Sequence, residues 1–505
     1  MVNNDQASTN GKKLTLPELE RFLWESANIL RGRIDSSDYK NYIFGLLFLK
    51  RISDVFEEEA EDIEKETGDK ELAWEDPDEH EFYVPSRTRW PHLRKITQDI
   101  GEAINKANEA LEEANPDLEG VLVAVDFNNK DRLPDRTLSR LLDHFSTYRL
   151  RNGDLYEPDI LGRAYEYLIK QFADDAGKKG GEFYTPQKVV QLVVLLVQPR
   201  EGMRVCDPCC GSGGMLIETA KYVESRGGNP KNISLFGQEN NLGTWAICKM
   251  NMLLHGIMDA RIEKGDTMLE PKFLDTGELM LFDYVIANPM WNQKEYGPTV
   301  FQNGDPYGRF LYGMAPKSSA DWAWIQHMLA TLNVKGKMGI VLDNGALFRG
   351  NSEGKIRKQV IEADLIEAVI ALPSKLFYNT SSPGCIIVLN RVKPKDRKGK
   401  VIFIYGGNDY LEGKAQNFLR EEDVAKHVAT FNDFNEMERY CSVADLEEIQ
   451  KNDYNLNVTR YVDIAEPEEP VDVDAVIGEL SGLESERSKL DATMKSYLKE
   501  LGYRG

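Results

Sequence analysis

Apolar positions recur every three or four residues along the first part of the chain. Leu16, Leu19, Leu23, Ala27 and Leu30 form one such series and predict a helix. Ser36, Ser37 and Asp38 offer caps for a second helix, which carries Ile43, Leu46, Leu47, Ile52 and Val55 and then runs into acid between Glu57 and Glu66. Residues 67–90 are polar, acidic and broken by Pro77 and Pro85, and read as a long surface loop. Helical spacing returns at 95–114, 135–145 and 158–173, the last with Leu161, Tyr165, Leu168 and Phe172, followed by a flexible loop over 174–181. No catalytic pattern occurs in residues 1–150, so they are expected to be a helical N-terminal domain that packs or contacts partners.

From 151 to 462 short apolar runs alternate with helical stretches. Strands are predicted at 203–206, 233–237, just before Gly265, 282–287, 338–342, 366–371, 385–389 and 401–405, with helices at 215–226, 242–254 and 320–333. This alternation predicts an α/β domain with a doubly wound, seven-strand-like sheet. Trp322 and Trp324 are expected to be packing residues of the last of these helices. Residues 463–474 are acidic, contain Pro467 and Pro470, and read as a linker. Beyond them Val476, Leu480, Leu483, Arg487, Leu490, Met494, Tyr497 and Leu501 alternate spacings of four and three. That is a heptad seam with one polar position, suited to a coiled-coil partner or to folding back on the body.

At 505 residues the chain has room for two or three domains. Its net charge of −21 makes it a poor free-standing DNA binder, because phosphate binding needs a local excess of Lys and Arg. Either the substrate is not nucleic acid or a partner supplies the basic surface. The basic clusters Lys355 to Lys358 and Lys393 to Lys400 are expected to be solvated faces. The six cysteines form neither a disulfide framework nor a zinc spacing, and point to a reducing, cytoplasmic setting; Cys206, Cys209 and Cys210 read as small core residues. The polar start and the lack of any apolar run near 20 residues suggest neither a signal peptide nor a membrane span.

The chemistry concentrates in two places. In the first, Asp207 and Pro208 end a strand and Gly211, Ser212, Gly213 and Gly214 make a tight turn into a helix. Glycines let a ligand approach the backbone, and the helix start offers free N–H groups. Leu216 occupies the third glycine position of the dinucleotide pattern, and the phosphate-cradling G-x-x-x-x-G-K-[ST] pattern is absent. An acid at the strand end suits an uncharged or cationic nucleoside, and S-adenosylmethionine (S-adenosyl-L-methionine) fits; the alternative is a tight turn without a ligand. Glu239, just past the next strand, is placed to accept from ribose hydroxyls or to favour a helix N-terminus. Asp266 is placed to accept from an adenine amino group or to make a turn. Upstream, Glu182, Phe183, Tyr184, Thr185, Pro186 and Gln187 precede a helix, with Thr185 as N-cap and Pro186 at its first position, and stand where they could cover a cofactor.

The second place is Asn288-Pro289-Met290-Trp291, which ends an apolar strand. The Asn288 amide oxygen and the adjacent carbonyl can grip an amino group from two sides, hold its nitrogen pyramidal and aim its lone pair at a methyl sulfonium. Trp291 is a candidate to stack on the base carrying that amine, worth ~1–3 kcal/mol. A base inside a duplex must first be extruded. The alternative is an Asn-Pro turn with a core tryptophan.

Together these motifs resemble those of the gamma group of amino-group DNA methyltransferases: Asp207-Pro208-x-x-Gly211-Ser212-Gly213-Gly214, Asn288-Pro289-x-Trp291 and Glu182-Phe183-Tyr184-Thr185-Pro186. Leu23-Trp24, Leu46 to Ser53, Arg309-Phe310 to Gly313, Asn344-Gly345 to Arg349 and Ala371-Leu372-Pro373 resemble the modification subunit of type I restriction-modification systems. The resemblance implies an S-adenosylmethionine-dependent methyltransferase domain between a helical N-terminal domain and a coiled-coil tail. It implies N6-adenine methylation of DNA in a complex with a specificity subunit, with two modification subunits per specificity subunit and in some systems a motor-nuclease subunit. Glu182 to Gln187, Ser212 to Gly214 and Glu239 would contact the cofactor, and Asn288, Pro289 and Trp291 the target base. Met290 stands where the usual motif has a second proline, but the gripping groups are kept. A protein-glutamine methyltransferase and a non-catalytic scaffold of a defence complex are the competing readings. Neither a target-reading domain nor a nuclease motif is found.

Overall fold

Strand alternation sorts the apolar residues onto two faces of one sheet. A computed structural model describes residues 13–31, 34, 36–157, 159–176, 184–294, 296–377, 380–414, 416–465 and 473–503. The sheet strands are β1 (Arg204–Asp207), β2 (Ser234–Glu239), β3 (Arg261–Lys264), β4 (Phe282–Ala287), β5 (Leu332–Asp343), β6 (Ile366–Ala371), β7 (Gly384–Asn390), β8 (Lys400–Tyr405) and β9 (Cys441–Asp445). Their spatial order is β9-β8-β6-β7-β5-β4-β1-β2-β3. β7 runs antiparallel to both β5 and β6, β9 antiparallel to β8, and the other pairs are parallel. The stretch from β3 to β6 is the expected seven-strand plan, and β8 and β9 extend it. β9 was not foreseen: Cys441-Ser442-Val443-Ala444-Asp445 is short and half polar, as suits an edge strand.

The main helices are α1 (Leu16–Leu30), α2 (Ser36–Thr67), α3 (Ile100–Ala114), α4 (Asp135–Phe145), α5 (Ile160–Ala176), α6 (Gln187–Val197), α7 (Gly214–Ser225), α8 (Leu242–Leu254), α9 (Asp321–Ala330), α10 (Asn351–Glu362), α11 (Glu421–Asp433) and α12 (Val473–Glu500). Val285, Ile340, Ile387 and Phe403 join one hydrophobic cluster with Trp322 of α9 and Ile356 of α10. Their neighbours Ile286, Val341, Ile386 and Ile402 face the other way, into a cluster shared with α6, α7 and α8. Burial on both faces is the doubly wound arrangement.

The second cluster runs on into the N-terminal helices. Phe44 of α2 lies against Tyr165 and Phe172 of α5, with ring centroids 4.1 and 5.6 Å apart, and the Tyr165 hydroxyl donates to the Ile247 carbonyl of α8 (3.3 Å). Residues up to Val462 form one compact unit and Asp463–Gly505 a second. Within the second, none of the residues of α12 is buried; Leu480, Leu483, Leu490 and Met494 all stand exposed. No helix among the described residues is long and apolar enough to cross a membrane.

Three expectations are corrected. Residues 67–90 are not a plain surface loop: they contain a helix at Lys70–Glu75 and two single 3-10 turns, and lead into a second short helix at Trp90–Leu93. Trp90 is fully buried and donates to Ser146 Oγ (2.9 Å), and the Arg89 guanidinium sits over the rings of Phe56 and Trp74. The basic clusters are only partly solvated, because Arg357 and Lys393 turn inward. Arg357 donates to the carbonyls of Tyr454 and Arg349, and Lys393 to Asp364 and the Lys400 carbonyl. Finally, α5 extends to Ala176, into the start of the expected loop, whose remainder lies outside the described residues.

Candidate active site

β1 and β4 are hydrogen-bonded neighbours, with Val205 opposite Tyr284 and Cys206 opposite Val285. β2 and β3 lie on one side of β1 and β4 on the other, so the direction of winding reverses between β1 and β4. Ligands of doubly wound sheets bind beyond the carboxyl ends of the strands at such a point. A cavity of about 620 Å³ opens there, with Tyr184, Gly211, Ser212, Glu239, Asp266 and Asn288 in its wall. A side cavity of about 50 Å³ adds Thr185, Gln187, Asp207 and Gly214. Pro186, Gly213, Pro289 and Trp291 line neither, and Glu182 and Phe183 lie outside the described residues.

The glycine turn has no spare room at one position. Gly213 has φ +85°, and a Cβ there would sit 2.3 Å from the Met252 methyl and 2.9 Å from Cys248 Sγ. The turn is held from α8 by Asn251 Nδ2, which donates to the Ser212 carbonyl (2.9 Å), and from β2 by the Gln238 carbonyl, which accepts from Cys210 N–H (3.0 Å). Gly213 occupies the cap position of α7 and no side chain caps that helix, so its first-turn N–H groups are left for a ligand.

Three carboxyl groups flank the turn. Asp207 is buried and accepts from Cys209 N–H (3.1 Å); burial, with the charge of Glu239 adding to it, pushes its pKa up to about 7. Glu239 accepts from the N–H groups of Gly211 (3.1 Å) and Asn241 (2.8 Å), and burial raises its pKa. Glu239 is not a helix cap, because Asn241 caps α8 by accepting from Thr244 N–H (3.0 Å). Asp266 makes a turn by accepting from Met268 and Leu269 N–H (2.9 and 3.1 Å), and its second oxygen accepts from the Tyr296 hydroxyl. So Asp266 both makes a turn and faces the cavity.

At the end of β4, Asn288 Nδ2 donates to Thr185 Oγ1 (2.8 Å) and Asn288 Oδ1 accepts from Trp291 Nε1 (3.0 Å). Thr185 is therefore not the helix cap expected from sequence: α6 begins at Gln187 with Pro186 in the cap position and no side-chain cap bond. Trp291 is 9% exposed. Its ring meets Phe377 nearly edge-on at 4.6 Å, and a Cβ on Gly384 of β7 would come within 2.9 Å of it. The exposed Met290 side chain borders the larger cavity.

Sequence reasoning missed the groups that brace this turn. Asn292 has φ +53°, a conformation asparagine tolerates better than most residues. Its N–H donates to Asp321 Oδ1 (3.0 Å), while the Arg349 guanidinium donates to Asn292 Oδ1 and Asp321 Oδ2 and lies 3.0 Å from Glu353 Oε2. Trp324 packs as expected and also donates to Gln293 Oε1 (3.3 Å). Lys40 and Phe44 of α2 line the larger cavity too, so the helical N-terminal region helps to form the site.

Comparison with known proteins gives this geometry a context. Residues 156–470 match the family described as N-6 DNA Methylase, and residues 19–145 match the HsdM N-terminal domain. The type I restriction enzyme MjaVIII methylase subunit of Methanocaldococcus jannaschii is 37% identical over 521 residues, covering 97% of this chain and 86% of that protein. The chain belongs to the methylase subunits of type I restriction enzymes. The HindI methylase subunit of Haemophilus influenzae is 34% identical, covering 83% of this chain and all (100%) of that protein. A crystal structure of a type I methyltransferase subunit from Streptococcus thermophilus superposes with a TM-score of 0.79 at 32% identity, over 89% of this chain and 100% of that one. This methylase subunit is accordingly a DNA methyltransferase that works in a complex.

Proposed function

We propose that this methylase subunit transfers the methyl group of S-adenosylmethionine to N6 of adenine in DNA. The observation that carries the reading is that Asn288, beyond β4, and the glycine turn, beyond β1, border the same cavity. Its volume of about 620 Å³ is in the range of small-molecule sites, ~300–1,000 Å³.

The donor set fits the cofactor. Asp207 is a buried carboxyl and Glu239 a half-buried one, burial raises the pKa of both, and a cationic ligand beside them offsets the cost of their charge. Glu239 keeps lone pairs beyond its two backbone bonds for ribose hydroxyls, and Asp266 is placed for the adenine amino group. Gly211, Ser212, Gly213, Gly214 and the start of α7 would take the methionine end, with Tyr184, Thr185, Pro186 and Gln187 over it. When bound, the cofactor supplies an electrophilic methyl group. Asn288 Oδ1 and the Pro289 carbonyl then accept from the target amino group and direct its lone pair. The adenine must leave the duplex to reach them.

The acidic chain favours a specificity subunit that supplies most of the basic DNA-binding surface and reads the sequence. The exposed heptad series of α12 suits a helix of that subunit, with two methylase subunits per specificity subunit and, in some systems, a motor-nuclease subunit. Work on DNA implies a cytoplasmic location. The test is a complex of this chain with its specificity subunit, given labelled cofactor and DNA. Label should reach adenine N6, and Asn288→Ala should abolish transfer while cofactor binding persists. Full activity of Asn288→Ala, or label appearing on protein instead of DNA, overturns the reading.

A further inference from the structure

The proposed gripping atom, Asn288 Oδ1, needs its amide turned the right way round, and the structure holds a device that does this. An amide can flip about its terminal bond, exchanging an acceptor for a donor at nearly the same place. An indole N–H only donates, so the amide atom 3.0 Å from Trp291 Nε1 has to be the oxygen. The amide nitrogen then faces Thr185 Oγ1 at 2.8 Å, where the hydroxyl oxygen accepts. Thr185 is free for this because α6 takes its cap position from Pro186 and uses no side-chain cap. The indole cannot follow a flipped amide, being clamped between Phe377 and the close approach of Gly384.

We infer that Trp291, through its N–H, and Thr185, through its hydroxyl oxygen, are positioning residues that set the orientation of the Asn288 amide. The assignment rests on the proposed amino-methylation reading. It gives the turn an internal logic. One lone pair of Asn288 Oδ1 takes the indole proton, and the other is left for the target amine. Trp291 excludes the flipped state, which would set an NH₂ against an N–H. Thr185, which can accept or donate, fixes the position of the amide. The side chain that faces the cofactor wall thereby holds the side chain that faces the amine, because Thr185 also lines the side cavity with Asp207 and Gly214.

The test uses the full chain in its complex with the specificity subunit and compares Trp291→Phe, Thr185→Val and Thr185→Ser. Single-turnover methyl transfer is measured at saturating S-adenosylmethionine, so that altered cofactor affinity drops out. Trp291→Phe keeps an aromatic face but loses the N–H, and its rate should fall about tenfold, the scale of one lost hydrogen bond expressed in the transition state. Thr185→Val should fall similarly, and Thr185→Ser should stay within about threefold of the unaltered chain. The double variant Trp291→Phe/Thr185→Val should lose less than the product of the single losses, since both act through one amide. A readout independent of activity is the Asn288 side-chain amide signal of ¹⁵N-asparagine-labelled chain, identified by its loss in Asn288→Asp. It should shift in Trp291→Phe and Thr185→Val and stay in place in Thr185→Ser. A full rate and an unmoved amide signal in Trp291→Phe overturn the inference. If the unaltered complex methylates no DNA, the amino-methylation reading fails, while the amide signals still decide the orientation.

Discussion

The brace behind Asn288 makes a quantitative claim. In Arg349→Met the Asp321 carboxylate, whose side chain is 0% exposed, loses its guanidinium partner while Arg349 itself is only 28% exposed. Removing one member of a buried ion pair costs roughly 3–5 kcal/mol, and the partial exposure of Arg349 places this case at the low end, about 3 kcal/mol. That is a large share of a typical stability of about 5–15 kcal/mol. The cost depends on pH. Burial already raises the Asp321 pKa, and Arg349 opposes the rise. Without Arg349 the folded-state pKa climbs further above that of the unfolded chain. A carboxyl raised on folding holds its proton in the native state, so stability falls as pH rises between the two values. The deficit of Arg349→Met should therefore be larger at pH 8 than at pH 5 in thermal unfolding followed by circular dichroism. Adding Asp321→Asn removes the stranded charge, so the double variant should recover part of the loss. Single-turnover methyl transfer should slow as well, because the Asn292 turn loses its support. A variant within about 0.5 kcal/mol of the unaltered chain at both pH values, with Asp321→Asn adding an independent loss, refutes the reasoning.

Three further outcomes are expected. Gly213→Ala imposes a Cβ on a left-handed residue at φ +85°, costing about 1–2 kcal/mol; the Met252 methyl can move aside, so Met252→Ala should restore little stability, and calorimetry should find weaker S-adenosylmethionine binding. Asp207→Asn removes a buried carboxyl whose pKa is about 7 against a usual 3.8; the folded state holds the proton longer, so the stability gained by the substitution should be about 2–3 kcal/mol greater at pH 8 than at pH 5 in denaturant titrations. Leu483→Glu with Leu490→Glu changes two exposed positions of α12; the melting temperature should hold while co-purification with the specificity subunit is lost.

Much of the architecture was legible because local spacing encodes it. Leu19, Leu23, Ala27 and Leu30 are buried as their helical period demands, and the apolar runs at 282–287 and 366–371 became β4 and β6. The glycine turn was legible for a similar reason: a local run of glycines marks left-handed backbone, as at Gly213 with φ +85°. Contacts across long stretches of chain were not. The hydroxyl of Thr185 looked like a helix cap because a Thr-Pro pair suits one, yet its partner is Asn288, 103 positions away. Arg349 reaches Asn292 across 57 positions, and no spacing rule connects an arginine after β5 to a turn after β4. The stretch 67–90 looked like a loop because its composition is acidic, whereas Trp90 and Arg89 tie it to Ser146 and Phe56 on other segments. Asp266 and Glu239 both border the cavity, but the bond from Gly211 N–H to Glu239 spans 28 positions and no local spacing announces it.

Everything rests on two neighbouring strand ends serving a single transfer. The most direct measurement is a crystal structure of the complex with DNA and a non-reactive analogue of S-adenosylmethionine. The account predicts the analogue against Gly211 to Gly214 and an extruded adenine whose N6 amino group donates its protons to Asn288 Oδ1 and the Pro289 carbonyl. The transferable-group position should then lie ~3–3.5 Å from that nitrogen. An analogue bound away from the glycine turn, or an adenine held with its amino group out of reach of Asn288, contradicts it.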